Sequence, residues 1–390
     1  MKELKSLTNK LYLLAFLQGF VLWYAVDKLF QIAIGLTTEQ ILIVGAIAQT
    51  SVLLFEIPSS IFADRRSRRL VLIGANIVFI ASSFVLGASN SINVYVVGVL
   101  LWALSEALFS GVSEAFAYDS LGTINQTKIY RKVASKMEAI QLSTMALAGL
   151  SAGFVSITLG FPATFYLSMM APVVAIMVLL KMKEPPITRT SEQGLSWAMH
   201  LGSGLKIMAR PAIIWPIIGL SFLFCLASFW YEYYQLIGVE TGLPVAISGM
   251  VTAVLTVGLV LGALFVNKFA PKARIFAFLW TGLIAVHILL PQISTYSWAL
   301  TLVFIGAICM MALEVYLETY VQDHIPSSQR ATVSSLVSLV GRVCFLLLFG
   351  IFLLVSRTMS IRASLALIAI PTLLFGVISV FRRFKDYTSS

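Results

Sequence analysis

The sequence predicts an all-α membrane protein with twelve transmembrane helices in two pseudo-symmetric six-helix bundles, and three observations carry that prediction. Of the 390 residues, 59% are hydrophobic and 11% charged, whereas a soluble domain carries about 25% charge. The apolar residues gather in twelve runs, each near the roughly 20 residues that a helix needs to cross the hydrocarbon layer. The cations between runs cluster on alternate loops, as the positive-inside bias requires of a multi-pass chain. Strands of a transmembrane barrel are half as long and alternate in polarity, and these runs do neither. The net charge of +10 comes without a basic helix or interleaved aromatics, so nucleic acid is not an expected partner.

Taken in order, the runs cover about 10–34, 41–63, 69–88, 92–118, 132–157, 163–181, 211–235, 245–266, 275–291, 297–320, 331–355 and 361–381. Lys2, Lys5 and Lys10 precede the first. More spans follow it, so it is read as a retained helix and not as a cleaved signal. Between the second and third runs, Asp64-Arg65-Arg66-Ser67-Arg68-Arg69 sets five charges in six residues. Such a turn marks a membrane surface, and its four Arg place it on the cytoplasmic face. The loops after even-numbered spans and both termini hold nearly all the Lys and Arg, including Lys128, Lys132, Lys181, Lys183, Lys268, Lys272, Arg330 and Arg382. The opposite loops hold essentially Arg357 and Arg362. Both termini are therefore expected to be cytoplasmic.

A long polar stretch opens with Glu184-Pro185-Pro186, whose prolines end the sixth helix. The expected organisation is a bundle over 1–181, a cytoplasmic linker over 182–210, and a second bundle over 211–390. Trp197 to Ala209 reads as a short amphipathic helix on the membrane surface. A weak internal repeat supports the division. Ser60-x-x-x-Asp64-Arg65 followed by Arg68-Arg69 is echoed by Ala263-x-x-x-Asn267-Lys268 followed by Pro271-Lys272, at the same place in each half. Gly149-x-x-x-Gly153 and Gly258-x-x-x-Gly262 predict close helix contacts in the fifth and eighth spans.

Ionisable residues within the spans are costly and mark cavities or partners. They are Asp27 and Lys28 in the first span, Glu56 in the second, Glu106 and Glu114 in the fourth, Glu232 in the seventh, and Glu314 with Glu318 in the tenth. Glu314 and Glu318 are four apart and share a helix face, as a proton site or cation receptor would. Arg342 in the eleventh span is their candidate counter-ion, either for function or as a structural salt bridge. Glu56 precedes Pro58, which is expected to loosen the second span locally. Trp230-Tyr231-Glu232-Tyr233-Tyr234 reads either as a pocket for an amphipathic cation or as an interfacial aromatic belt. Trp23 and Tyr24 with Asp27 lie at a similar depth. Cys225, Cys309 and Cys344 sit far apart in apolar runs and are expected to be buried hydrophobes. His200, His287 and His324 have no metal or nucleophile spacing. No phosphate-cradling loop is present, so no cofactor or metal is expected and any pumping would use an ion gradient.

The chain resembles a member of the major facilitator superfamily over essentially its full length. The resemblance rests on the loop Ser60-Ile61-Phe62-Ala63-Asp64-Arg65-Arg66-Ser67-Arg68-Arg69, whose acidic and basic positions match the family signature while both of its glycines are serine. A Ser67 in place of glycine would be strained if the turn needs a positive φ. Phe55-Glu56-Ile57-Pro58, Ser110-Gly111 and Tyr118-Asp119-Ser120-Leu121 resemble a prokaryotic branch that is drug-efflux-like or uncharacterised. The resemblance implies the prokaryotic cytoplasmic (inner) membrane, and a cytoplasmic gate made of Ser60, Asp64, Arg65, Arg68, Arg69 and Asp119. In it Asp64 faces the start of the eleventh span and Arg68 pairs with Asp119. It also implies that Trp23, Tyr24 and Asp27 face Trp230, Glu232, Tyr233 and Tyr234 in a shared substrate site. Two family features are missing: Leu104-Ser105-Glu106-Ala107 lacks the proton-linked Arg of the fourth span, and Gly153 is followed by Phe154 where antiporters have Pro. Weight therefore moves to the carboxylates Asp27, Glu56, Glu106, Glu114, Glu314 and Glu318, with Arg342. The expected function is proton-coupled export of a small organic molecule by a monomer embedded in lipid, and not an enzymatic one. The alternatives are a proton-coupled importer of a metabolite, siderophore or peptide, and a non-transporting receptor or assembly factor.

Overall fold

The computed structural model describes residues 2–110, 112–185, 210, 213–268, 273–325 and 330–382, without the side chains at 57, 60–65, 131, 267, 268, 273, 322, 330–332, 334, 335, 338 and 379–382. Among the described residues the regular elements are all helical. The chain clusters into two compact units, residues 1–189 with 244–253, and residues 190–243 with 254–390. The first unit holds α1 (Lys2–Gly19), α2 (Asp27–Ala33), α3 (Thr38–Arg65), α4 (Arg68–Gly87), α5 (Ile92–Phe109), α6 (Val112–Gly122), α7 (Tyr130–Leu159), α8 (Phe161–Ser168) and α9 (Met170–Leu180). Beyond it run α10 (Ile214–Glu240), α11 (Gly249–Lys268), α12 (Ala273–Leu289), α13 (Tyr296–Asp323), α14 (Arg330–Val355), α15 (Ile361–Ile368) and α16 (Ile370–Arg382). The predicted surface helix at Trp197–Ala209, with His200, lies outside the described residues.

Ten helical stretches among the described residues are long and apolar enough to cross a membrane, and α14 adds a shorter apolar run, Leu339–Val355. The first predicted span departs from expectation. It is not one helix but α1, a 3-10 turn at Trp23–Ala25, and α2. At Gly19 an added Cβ would lie 2.3 Å from the Gln141 carbonyl oxygen, so α1 meets the backbone of α7 where the helix ends. An amide freed within the hydrocarbon must find another acceptor, and the Leu22 amide donates to Ser168 Oγ at 2.9 Å. Ser168 stands where the sixth span itself divides into α8 and α9, shortly before Pro172, which has no amide to donate. The last span divides in the same way at Ala369, before Pro371. The fourth span is interrupted between Phe109 and Val112, where Ser110 adopts φ −54°, ψ 121°. By contrast α3 continues as a helix through Pro58.

The strain foreseen at Ser67 is absent. Its φ is −59° and ψ 121°, and its side chain caps α4 by accepting the Leu70 amide at 3.1 Å. Serine is among the best residues for that position, worth about 1 kcal/mol over alanine. The glycine pairs pack closely. A Cβ on Gly153 would lie 2.5 Å from the Ala246 carbonyl oxygen, and one on Gly262 would lie 2.6 Å from that of Ile308. The cysteines are free thiols, Cys225 and Cys309 buried and Cys344 half-buried.

Candidate functional site

The interruption of the first span sets Tyr24 on the 3-10 turn, facing α5. Trp23 beside it is buried, stacked on Phe165 with ring centroids 5.2 Å apart, which fixes the turn against α8. The Tyr24 hydroxyl donates to Glu106 Oε1 at 3.1 Å and accepts from Trp102 Nε1 at 2.8 Å. Indole nitrogen can only donate, so the chain of hydrogen bonds has a fixed direction, from Trp102 through Tyr24 to the carboxylate. Glu106 lies one turn before the interruption of the fourth span. Two broken helices thus converge on one carboxylate. Non-helical backbone at membrane depth is tolerated where it is buried in protein or lines a cavity, and a cavity is present. Its polar lining is Gln18, Tyr24, Asn76, Glu106 and Ser113, with the remainder apolar. Its volume is about 60 Å³, room for a few water molecules and far below the roughly 300 Å³ where small-molecule pockets begin.

Asp27, at the start of α2, stands in a different setting. Its carboxylate accepts from Lys28 Nζ at 3.0 Å, from Gln31 Nε2 at 2.9 Å and from the Tyr95 hydroxyl. The Lys28 and Asp27 side chains are 5% and 14% exposed, so the pair is out of water and held by its own donors. Removing one partner of such a pair is costly, because the other charge stays buried. Of the other fourth-span acid, Glu114, the side chain is exposed, and Glu56 on α3 is half-buried.

At the end of the unit that carries the Arg-rich turn, Arg68 Nη1 donates to Asp119 and, at 3.0 Å, to the Ala115 carbonyl. Arg69 Nη1 donates to the Met182 carbonyl at 2.8 Å, and its Nε lies 3.6 Å from Glu184 Oε2, which also accepts from Ser67 Oγ. The start of α4 is thereby tied both to α6 and to the segment after α9. Glu184 was not singled out from the sequence, where it looks like a loop acid before two prolines. The side chains of Ser60, Asp64 and Arg65 lie outside the described residues.

In the second unit Trp230, Tyr233 and Tyr234 are buried. Trp230 Nε1 donates to His287 Nε2 at 3.1 Å, and His287 Nδ1 lies 2.8 Å from the Leu283 carbonyl. Those two contacts assign the proton to Nδ1 and make the imidazole neutral. Tyr233 packs on Phe229 and Phe352, while Glu232 is half-buried and Tyr231 exposed on other faces of α10. Glu314 is half-buried and Glu318 exposed on α13. The Arg342 guanidinium lies 5.7 Å from the Phe224 ring centroid. At the far end of α10, Glu240 accepts the Ile361 and Arg362 amides at 2.5 and 3.2 Å and Arg362 Nε at 3.0 Å. This acid, too, was not anticipated. Among the described residues no group of His, Cys, Asp and Glu is arranged to hold a metal ion.

The sequence matches the family model of the Major Facilitator Superfamily over residues 11–348. No curated protein matches the chain. Among solved structures, the nucleoside transporter NupG is similar with a TM-score of 0.76 at 13% identity, covering 97% of this chain and 99% of that one. The D-xylose-proton symporter gives 0.73 at 13% identity, with 99% of each chain covered. A bacterial homolog of the human lysosomal transporter Spinster, in an inward-facing and unoccupied conformation, gives 0.69 at 18% identity, covering 97% of this chain and 94% of that one. Likeness at such identity extends to the fold and not to cargo. With a family model matched over most of its length and its apolar helices in place, the chain is a multi-pass membrane transporter belonging to the major facilitator superfamily.

Proposed function

We propose that the protein is a proton-coupled secondary transporter of the prokaryotic cytoplasmic membrane, exporting a small amphipathic organic molecule, with Glu106 as the group that takes up and releases the coupling proton. The observation that supports this most directly is the Trp102–Tyr24–Glu106 chain in a water-sized cavity at two helix interruptions. A carboxylate at that depth is costly to keep. A cavity of that size has room for a coupling proton and its water. Asp27 is given a structural part instead, since three donors already hold it. Export is favoured only by the resemblance of the Phe55-Glu56-Ile57-Pro58 and Ser110-Gly111 stretches to a drug-efflux-like branch of the family, and the direction is an outcome of the test below.

Purified protein in liposomes that hold a pH dye, with ethidium, a lipophilic cation, at equal concentration inside and out, tests the reading. Imposing a proton gradient is expected to drive ethidium out against its own gradient while protons move in. Protons and cargo moving together would point to symport, the mode named for the similar D-xylose-proton symporter. Flux indifferent to the gradient would sink the coupling altogether.

The Arg68–Asp119 pair is proposed to be part of the cytoplasmic gate. Asp119→Asn is expected to slow cycling several-fold, and the exchanged pair Arg68→Asp with Asp119→Arg to recover part of the loss. Flux in Asp119→Asn equal to wild type would remove the pair from the gate.

A further inference from the structure

A second, larger pocket opens at the end of the first unit that carries the Arg-rich turn, where α1 begins and α6 and α9 end. Its volume is about 540 Å³, within the range that holds a small organic group. Four lysines line it, Lys2, Lys10, Lys181 and Lys183, against one carboxylate, Glu3. Lys10 Nζ donates to the Lys181 carbonyl at 3.2 Å. The hydroxyls come from Ser6 on α1, Ser120 on α6 and Thr123 just after α6. Thr123 Oγ1 donates to the Ser120 carbonyl at 2.7 Å. Ser120 is only 4% exposed, and its own hydroxyl has no hydrogen-bond partner among the described residues. A buried hydroxyl left unpaired costs about 1–3 kcal/mol, and a ligand oxygen entering the pocket would relieve it.

We propose that this pocket binds the phosphate group of an anionic glycerophospholipid. Four ammonium groups and an unpaired hydroxyl donor match a phosphodiester, which offers only acceptors and a negative charge. The source is the bilayer because the pocket sits at the ends of two apolar spans, Ile92–Gly122 and Phe161–Leu180, the level at which headgroups lie. Leu7, Ile124 and Met182 in its wall provide a place for the glycerol and the first methylenes. Basic pockets between helix ends bind lipid headgroups in this way, each Lys near the surface contributing modestly. The same pocket borders Met182, whose carbonyl receives Arg69, so a bound headgroup would brace the segment that ties α4 to α9.

The test uses the full-length protein in a zwitterionic detergent, with thermal stability followed against dioctanoyl phosphatidylglycerol, dioctanoyl phosphatidylcholine and glycerol 3-phosphate. Phosphatidylglycerol is expected to stabilise the wild type saturably and the other two to have little effect. Lys10→Gln/Lys181→Gln/Lys183→Gln is expected to raise its half-saturating concentration by about tenfold or more. Lys5→Gln/Lys128→Gln/Lys132→Gln, which removes the same charge outside the pocket, is expected to leave it unchanged. Arginine at the three pocket positions should restore binding, and Ser120→Ala, which keeps every charge, should weaken it a few-fold. The assignment is overturned if the two glutamine variants respond alike, or if phosphatidylcholine stabilises as well as phosphatidylglycerol. Glycerol 3-phosphate matching the lipid would overturn the membrane source and leave a site for soluble phosphates.

Discussion

Glu106→Gln is expected to reduce gradient-driven flux to that of empty liposomes while leaving the protein folded. Gln is nearly isosteric with Glu, and its carbonyl oxygen can still accept from Tyr24, so the Trp102–Tyr24 arrangement at 2.8 Å and 3.1 Å has no reason to collapse. The amide cannot take up or release a proton at any accessible pH. Steps that require Glu106 to change charge are therefore blocked, whereas counterflow exchange of cargo, which needs no net proton movement, should persist. Tyr24→Phe makes the contrast. It keeps the carboxylate but removes the donor to it and leaves the Trp102 indole N–H without its acceptor. Coupled flux is expected to fall several-fold and remain gradient-driven. If Glu106→Gln pumps like the wild type with unchanged thermal stability, the coupling proton rides on another group, and the half-buried Glu314 on α13 is the next to replace.

Eleven of the twelve predicted runs coincide with apolar helices, legible because hydropathy reports what lipid demands, a run of apolar side chains of the right length. The interruptions were not. Gly19-Phe20-Val21-Leu22 is apolar on both sides of the point where α1 ends, so composition passes over a change that coincides with the close approach of Gly19 to the Gln141 backbone. Pro172 and Pro371 were the available signals for the divided sixth and last spans, and Pro58 shows why that signal alone is not enough, since α3 passes through it. Among the acids, sequence reasoning found Glu106 but ranked it with its neighbours, because the partner that distinguishes it lies 82 positions away. Glu184 was read only as the start of a polar stretch, and Glu240 was passed over, for a related reason. Each stands at a span end, where a charge reads as solvated, and each finds its cation only through the fold, 115 and 122 positions away, respectively (184 − 69 and 362 − 240).

The largest effect on stability is expected at Glu240. Its carboxylate performs three tasks at once: it accepts two amides at the start of α15, and it neutralises Arg362, whose side chain is 13% exposed against 23% for Glu240. The amides at a helix start have no intrahelical partner, and an anion there also meets the positive end of the helix dipole. Ser360 caps only the Ala363 amide, at 3.2 Å, so it cannot replace the carboxylate. Glu240→Ala should therefore cost about 3 kcal/mol, the low end for stranding one member of a buried ion pair, since this pair is half-buried and its carboxylate also holds two amides. It should appear as a drop of several degrees in the thermal unfolding midpoint in detergent. Glu240→Gln keeps an acceptor for the amides but not the charge, and should fall between. The decisive comparison is Glu240→Ala combined with Arg362→Leu. When both charges go, no ion is left unpaired, so the double variant should be more stable than Glu240→Ala alone even though it has lost more native contacts. A double variant that is less stable by the sum of the two single losses would mean that packing, and not the ion pair, joins the end of α10 to α15.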